Sequence, residues 1–368
     1  MFANDKLSPN QFLLLVLLYT VGSSILFIPN TITQLAHRDG WISSFLGIGI
    51  GLIISWFYTN VASLKKDVTI VGLSELVFGK WVGGCLSILY CSFLFILTGL
   101  VVQNIVGYIT TTFLVETPPL AIYGLFYFVV AIGVRCGIET IGRCVQVLFI
   151  LMFGLYLVAM FGLTPKLDFH LVQPILENGP KPVLRSLVPL IGSPYVELVT
   201  FLMIYSSVPE GKTKRKAFIN GAVLGALFLA VPACFCLLII GPDLTANTAY
   251  PAFYVTKLIR IGDFFQRVEV FLAIIVYLTV FIKAVVCFYA LNKAIVELFQ
   301  LTDKKVLTLP LTLLCMVFSS IAYPTAVYGL NFIQTTWTPY AVTIGFVFPL
   351  SLWIGWFVRT KWGKKGAM

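Results

Sequence analysis

Hydrophobic residues follow one another along this chain in long runs that carry almost no charge. Ten such runs cover residues 10–34, 41–63, 81–113, 119–134, 144–163, 185–208, 217–240, 267–291, 307–323 and 337–358. A helix needs about 20 apolar residues to cross the hydrocarbon core of a bilayer. The pattern therefore predicts ten transmembrane helices. The long run 81–113 is kept as one tilted helix, because neither charge nor proline interrupts it between Cys85 and Thr111.

The composition agrees with a chain whose main solvent is lipid. Hydrophobic residues make up 59% of the chain and charged residues only 11%, whereas an ordinary soluble domain has about 25% charged residues. A globule of this size could not hide that much apolar surface from water. We therefore predict an all-α integral membrane protein and exclude a soluble enzyme. No small-residue cleavage site follows the run that starts at Phe12, so we expect this run to be retained as the first helix.

Lysine and arginine are distributed unequally between the two sides of the predicted topology. Of the 25 basic residues, 17 lie at the termini and in the even-numbered loops, 7 lie in the odd-numbered loops, and Lys283 lies within a span. Basic residues concentrate on the cytoplasmic side of membrane proteins, so both termini are predicted to be cytoplasmic. The net charge of +10 then indicates contact with anionic membrane lipids rather than with nucleic acid.

Two of the predicted spans contain residues that interrupt a helix. The first span carries Gly22, Ser23 and Ser24 ahead of Pro29, and the sixth carries the stretch 192–195, which reads Gly-Ser-Pro-Tyr. Each stretch is compatible with a kinked helix whose freed backbone groups bond to neighbouring helices. It is equally compatible with a discontinuous helix that exposes backbone groups to a ligand. The two breaks occupy matching positions in the halves 10–163 and 185–358, which favours a single domain built as a five-plus-five inverted repeat.

In such repeats the ligand binds near the bilayer midplane, where the broken helices meet. Unwound backbone there has free N–H and C=O groups, and the positive ends of half-helices suit a carboxylate. The predicted ligand-binding residues are Gly22, Ser23, Ser24, Ile25, Gly192, Ser193, Pro194 and Tyr195.

Two charged residues lie inside the predicted spans, and an unpaired charge in that position is costly. Glu197 directly follows the break in the sixth span, and Lys283 lies in the middle of the eighth. Both are predicted to be functional or coupling charges, with Glu197 acting as partner of a cation or as a proton carrier. The alternatives are that Glu197 reaches towards the membrane surface and that Lys283 forms a purely structural pair.

Other chemistry is sparse. The eight cysteines form no CxxC pair and lie mostly in apolar runs, the two histidines lie far apart, and no glycine-rich phosphate loop is present. We therefore expect neither a metal, nor a cofactor, nor enzymatic activity. Trp41, Trp81, Trp337 and Trp362 lie at predicted span ends, and we interpret them as interfacial anchors.

At several of these positions the chain resembles the spore germination permease family, the B subunits of germinant receptors, within the amino acid–polyamine–organocation superfamily. The motifs that carry the resemblance are 22–29 (GSSILFIP), Gly40-Trp41, Pro194-Tyr195-Val196-Glu197, Gln266-Arg267-Val268-Glu269, Lys283, Pro339-Tyr340 and Pro349-Leu350. The resemblance spans about Gln11 to Arg359. Ser24 and Val196 stand where the family has glycine, and Gln266 stands where it has glutamate. We expect Val196 to narrow the space at the break.

The resemblance implies a fold like that of LeuT and a receptor for an amino acid or similar germinant. It also implies A-type and C-type (lipoprotein) subunits as partners, in the inner spore membrane or the cell membrane. The alternative is a transporter that couples an amino acid to protons or sodium. Sodium-coupled relatives of this fold hold the ion between the first and eighth helices. Lys283 is expected to replace that ion and to donate to carbonyls near Gly22–Ile25.

Overall fold

The computed structural model describes residues 6–258, 269–301, 304–322 and 326–365. All regular secondary structure in these ranges is helical, and no strand occurs in them. The α-helices are α1 Pro9–Val21, α2 Ser24–Ala36, α3 Gly40–Ala62, α4 Ile70–Thr112, α5 Pro119–Cys136, α6 Ile138–Leu163, α7 Pro180–Leu190, α8 Lys212–Asn247, α9 Pro251–Lys257, α10 Glu269–Leu298, α11 Lys304–Ala322, α12 Ala326–Phe332, α13 Thr338–Val342 and α14 Phe348–Lys365.

The first predicted span is divided into α1 and α2. Helix α1 begins with a capping box, in which the side chains of Ser8 and Gln11 each accept a hydrogen bond from the other residue's backbone N–H. It ends at Gly22, whose φ of 31° and ψ of −133° interrupt the helix. Helix α2 then resumes at Ser24. The predicted break in the first span is therefore confirmed.

The sixth predicted span is broken as well. Helix α7 is followed by a π-helical turn, Ile191–Tyr195, in which Ser193 is extended with φ −143° and ψ 123°. The chain then winds into a 3₁₀ helix, Val196–Met203, all of whose residues are buried. A 3₁₀ run of eight residues is unusually long, because its hydrogen-bond geometry is poorer than that of an α-helix.

Three tyrosines from three different helices hold this 3₁₀ segment. The hydroxyl of Tyr58 on α3 has one proton to share between the Val196 carbonyl oxygen at 3.0 Å and the Gly345 carbonyl oxygen at 2.8 Å. The hydroxyl of Tyr19 on α1 donates to the Glu197 carbonyl at 3.0 Å, and that of Tyr90 on α4 donates to the Val199 carbonyl at 3.1 Å. Backbone acceptors in the tight helix therefore have partners outside it, which makes up for part of its weaker internal bonding.

Two long helices contain a glycine with positive φ near one end. Gly79 (φ 81°) interrupts α4 just before the predicted start of the third span, so the run from residue 80 to Thr112 is continuous, as predicted. Gly241 (φ 74°) interrupts α8 just after the predicted end of the seventh span. The short helix α9 buries most of its residues against the protein.

Packing places the broken helices at the centre of the molecule. Helices α1, α2 and α3 pack against α8, and α7 packs against α2 and α3. Opposite them, α4 runs along α10, and both contact the 3₁₀ segment Val196–Met203. Nine stretches of the described chain are long and apolar enough to cross a membrane, while α1 alone, at 13 residues, is shorter. The count of ten spans and the division into halves 10–163 and 185–358 remain predictions.

Candidate functional site

The two charges predicted inside the membrane form an ion pair. Lys283 Nζ lies 2.6 Å from Glu197 Oε2, with side-chain exposures of 0% and 3%. Apart from this contact, neither atom has a hydrogen-bond partner in the described chain. The other carboxylate oxygen, Oε1, accepts a hydrogen bond from Trp337 Nε1 at 3.0 Å. A cation on α10 and an anion on the sixth span are thus joined at the centre of the bundle.

Lys283 also packs directly on the break in the first span. A Cβ atom at Gly22 would lie 2.3 Å from Lys283 Cδ and 2.7 Å from the Tyr19 carbonyl oxygen. The expectation that Lys283 donates to carbonyls near Gly22–Ile25 is wrong. The Gly22 carbonyl instead accepts a long hydrogen bond (3.4 Å) from Thr279 Oγ1. A carboxylate carries a full negative charge, whereas a carbonyl oxygen carries only a partial one. Away from water, the carboxylate therefore attracts the lysine ammonium more strongly.

The two breaks meet around a small cavity. Ser24 Oγ and Ser193 Oγ are 3.3 Å apart, within hydrogen-bond distance. The cavity beside them is lined by Ser23, Phe27, Leu97, Leu100, Val101, Asn104, Ser193, Glu197, Ile333 and Trp337. Its volume of about 10 Å³ is room for about one water molecule. Anything larger could enter only if the surrounding helices moved apart.

Other predicted site residues point away from this cavity. The Tyr195 ring packs against Gly47 and Gly51 of α3, so closely that a Cβ at Gly51 would lie 2.6 Å from it. Gly192 lies against Thr338, and Ile25 is buried without lining the cavity. Ser193, by contrast, lines it together with Glu197, four residues further along. Pro194 is buried within the break and is not part of the lining.

Val196 does not narrow the cavity, contrary to the expectation from its bulk. Its side chain faces Gly345 of the last span, where an added Cβ would lie 2.2 Å from Val196 Cγ1. It is absent from the cavity lining. The volume added at one position is therefore accommodated by a glycine on the neighbouring helix.

The face of the cavity on α4 was not among the predicted site residues. Leu97, Leu100, Val101 and Asn104 follow the i, i+3, i+4, i+7 spacing on α4, so they share one side of the helix. The side chain of Asn104 makes no hydrogen bond within the described chain. The polar amide of Asn104 inside a long apolar run was the sequence signal that could have identified this face of the cavity.

Trp337 was interpreted as an interfacial anchor, and the structure contradicts this. It is 3% exposed and bonds to the central carboxylate. Its ring stacks on Phe93 with centroids 5.5 Å apart. The last helical region starts at Ala326 and continues through a π turn, Ile333–Trp337, so Trp337 lies inside the helix rather than at its beginning.

Within the described ranges, no group of three or more His, Cys, Asp and Glu side chains could hold a metal ion. The Gln266-Arg267-Val268 part of the motif before the eighth span lies outside the described residues.

Both the sequence and the fold of this chain are similar to those of known proteins. Residues 6–326 match the family model described as "Spore germination protein". The chain is 26% identical to spore germination protein KB of Bacillus subtilis, over 98% of this chain and 96% of the relative.

Among solved structures, a Na⁺-coupled sialic acid symporter in a substrate-bound outward-open state superimposes with a TM-score of 0.67. It has 14% identity, and the match covers 97% of this chain and 80% of the symporter. MhsT in complex with L-phenylalanine superimposes with a TM-score of 0.56, at 15% identity, covering 94% and 97% of the two chains. These similarities show the LeuT-like transporter fold, and with the apolar helices they identify an integral membrane protein. The match over most of its length shows that this chain belongs to the spore germination protein family.

Proposed function

We propose that this chain is the membrane-embedded nutrient-sensing subunit of a spore germinant receptor. In this proposal it binds a small germinant, such as an amino acid, between its two broken helices. The observation that carries the proposal is the cavity where the breaks meet. Ser23 and Asn104 line this cavity and make no side-chain hydrogen bond within the described chain. Polar groups that line a cavity without partners are the ones that a ligand or water would satisfy.

The residues divide into two roles in this proposal. Ser23, Ser193 and Asn104 offer side-chain groups to the ligand, and the positive end of α2 at Ser24 favours a carboxylate. Gly22, Ile25, Gly192, Pro194 and Tyr195 shape the two breaks and hold them against neighbouring helices. The apolar wall from α4 and Phe27 would contact the remainder of the ligand.

A receptor needs a change that its partners can detect. Because the cavity has a volume of only about 10 Å³, a germinant can bind only a conformation in which the lining has moved apart. Binding would then shift the population towards that conformation. The Glu197–Lys283 pair lies at the edge of the cavity and joins the sixth span to α10, so such movement would alter the pair. A-type and C-type (lipoprotein) subunits in the inner spore membrane are the proposed readers of the change.

Replacing a hydroxyl at the cavity tests the site. Ser193→Ala should raise the half-maximal germinant concentration for dipicolinic acid release by about five- to tenfold, since a lost hydrogen bond costs about 1 kcal/mol. Ser320→Ala is the matched control, because Ser320 is exposed on α11 and bonds only within its own helix. Equal germinant sensitivity in both variants and the wild type would refute the site.

The alternative function is a working transporter, favoured by the transporter fold of the solved neighbours. Uptake of labelled amino acids into proteoliposomes, with and without sodium, separates the two. The receptor proposal expects no uptake and recovery of A-type and lipoprotein subunits on purification from spore membranes. Sustained uptake by the chain alone would favour the transporter. Because Lys283 lies between α1 and α10, where an ion would sit, that uptake should not require sodium.

A further inference from the structure

The two partners of the central ion pair differ in how they meet the cavity between the breaks. Glu197 is part of the described lining of that cavity and is the one charged residue in it. Lys283, whose Nζ lies 2.6 Å from Glu197 Oε2, does not belong to the described lining. The lysine therefore reaches the carboxylate from α10, while a molecule in the cavity would meet the same carboxylate from another direction.

The lysine ammonium is held by a single acceptor. An ammonium has three N–H donors, but Glu197 Oε2 is the one acceptor of Lys283 Nζ in the described chain, and the lysine is fully buried. The ring of Tyr19 lies 5.4 Å from this nitrogen and attracts it through its π face. The Tyr19 hydroxyl and the Cys287 thiol bond to each other at 3.4 Å and add no formal charge. Buried donors in a purely structural pair are normally satisfied, so this ammonium is poorly fixed.

The carboxylate has room for another donor. It offers about four lone-pair positions, and within the described chain it uses two, for Lys283 and for Trp337 Nε1 at 3.0 Å. Of the groups that line the cavity, this full negative charge attracts an ammonium most strongly. The side chains of Leu97 and Val101 line the same cavity, and they suit an apolar body attached to that ammonium.

A second ammonium on Glu197 would be repelled by that of Lys283. Two unit charges about 5 Å apart, at an effective dielectric constant of about 20, repel each other enough to weaken binding more than about a hundredfold. The described lining contains no second carboxylate that could offset this repulsion. A ligand ammonium therefore binds well only where the lysine ammonium gives way.

We infer that Lys283 occupies the place on Glu197 that the ammonium group of a germinant takes, and that the germinant displaces it. The inference rests on the proposed function and narrows its ligands to small primary amines with an apolar body, amino acids among them. The stem of Lys283 packs on Gly22. Displacing the lysine therefore also changes the contact between α10 and the break in the first span.

The test uses the purified full-length protein in detergent, methylammonium chloride as the probe and thermal unfolding as the readout. Lys283→Met removes the competing ammonium but keeps a side chain of similar length. Methylammonium should then stabilise this variant, with a half-maximal concentration more than about tenfold below that of the wild type. Adding Glu197→Gln should abolish the response. Tetramethylammonium, which is charged but has no N–H donor, should not stabilise the variant. Lys80→Met is the control and should respond like the wild type, because Lys80 is exposed and makes no contact within the described chain.

Equal half-maximal concentrations in Lys283→Met and the wild type would overturn the exchange, as would an unchanged response after Glu197→Gln is added. If Lys283→Met does not fold in the absence of amine, the readout is its recovery when methylammonium is present throughout purification. Equal failure in methylammonium and in tetramethylammonium would then overturn the exchange. The proposed function is tested separately by the germination response of Ser193→Ala. Methylammonium exchange with an unchanged Ser193→Ala response would refute the nutrient site alone, and the reverse result would refute the exchange alone.

Discussion

Breaking the central ion pair from one side should cost far more than removing it completely. At 2.6 Å, two unit charges attract by about 6 kcal/mol at an effective dielectric constant of about 20, before any desolvation cost is subtracted. Lys283→Met leaves Glu197 buried with an unpaired charge, and removing one partner of a buried pair costs about 3–5 kcal/mol. Glu197→Gln leaves the lysine in the same position. With both residues replaced, no buried charge remains, so the double variant should be more stable than either single one.

Thermal unfolding in detergent measures this directly. A loss of about 4 kcal/mol in a chain of this length lowers the melting temperature by roughly 5 °C. The double variant should recover most of that loss. With about 4 kcal/mol lost in each single variant and about 1 kcal/mol lost in the double variant, the coupling energy is about 7 kcal/mol. Lys80→Met serves as control, because Lys80 is exposed and makes no contact within the described chain. Additive losses in the double variant would refute the pairing, as would single variants that unfold like the control.

Three further predictions concern the close contacts around the breaks. Gly22→Ala should lower the melting temperature and abolish nutrient response, because its Cβ would overlap Lys283 and its φ is positive; a normally responding variant would contradict this. Gly345→Ala should destabilise the protein by about 1–3 kcal/mol through overpacking, and adding Val196→Gly should restore stability, as measured by thermal unfolding of both variants. Trp337→Phe should cost about 1–3 kcal/mol, because it leaves one oxygen of the buried carboxylate without its donor; an unchanged melting temperature would show that another group takes the place of the indole.

The sequence predicted the fold largely because its signals are local. Apolar runs define spans, and glycine, serine and proline within a span define breaks, so the interruptions at Gly22 and near Ser193 were recognisable from the chain alone. The charges at Glu197 and Lys283 were recognisable as unusual, since burying a charge is costly wherever it lies.

Contacts between residues on different helices could not be predicted from the sequence in the same way. The pairing of Lys283 with Glu197 depends on which faces of α10 and the sixth span meet, and no local pattern specifies this. Trp337 is the first residue of an apolar run in the sequence, but the helical region that contains it begins earlier, at Ala326. The accommodation of Val196 by Gly345 joins residues 149 positions apart, and only the packed structure reveals it.

The winding of Val196–Met203 has a mechanical consequence. A 3₁₀ helix rises about 2.0 Å per residue and turns about 120°, whereas an α-helix rises about 1.5 Å and turns about 100°. Rewinding these eight residues as an α-helix would shorten the segment by about 4 Å and rotate one end against the other by about 160°. The extended backbone at Ser193, just before the segment, would allow its N-terminal end to rotate. The hydrogen bonds from the three tyrosine hydroxyls oppose this rewinding by at most about 3 kcal/mol, at about 1 kcal/mol for each bond. A stimulus that releases all three would convert a small local event into a screw motion along the axis of the bundle.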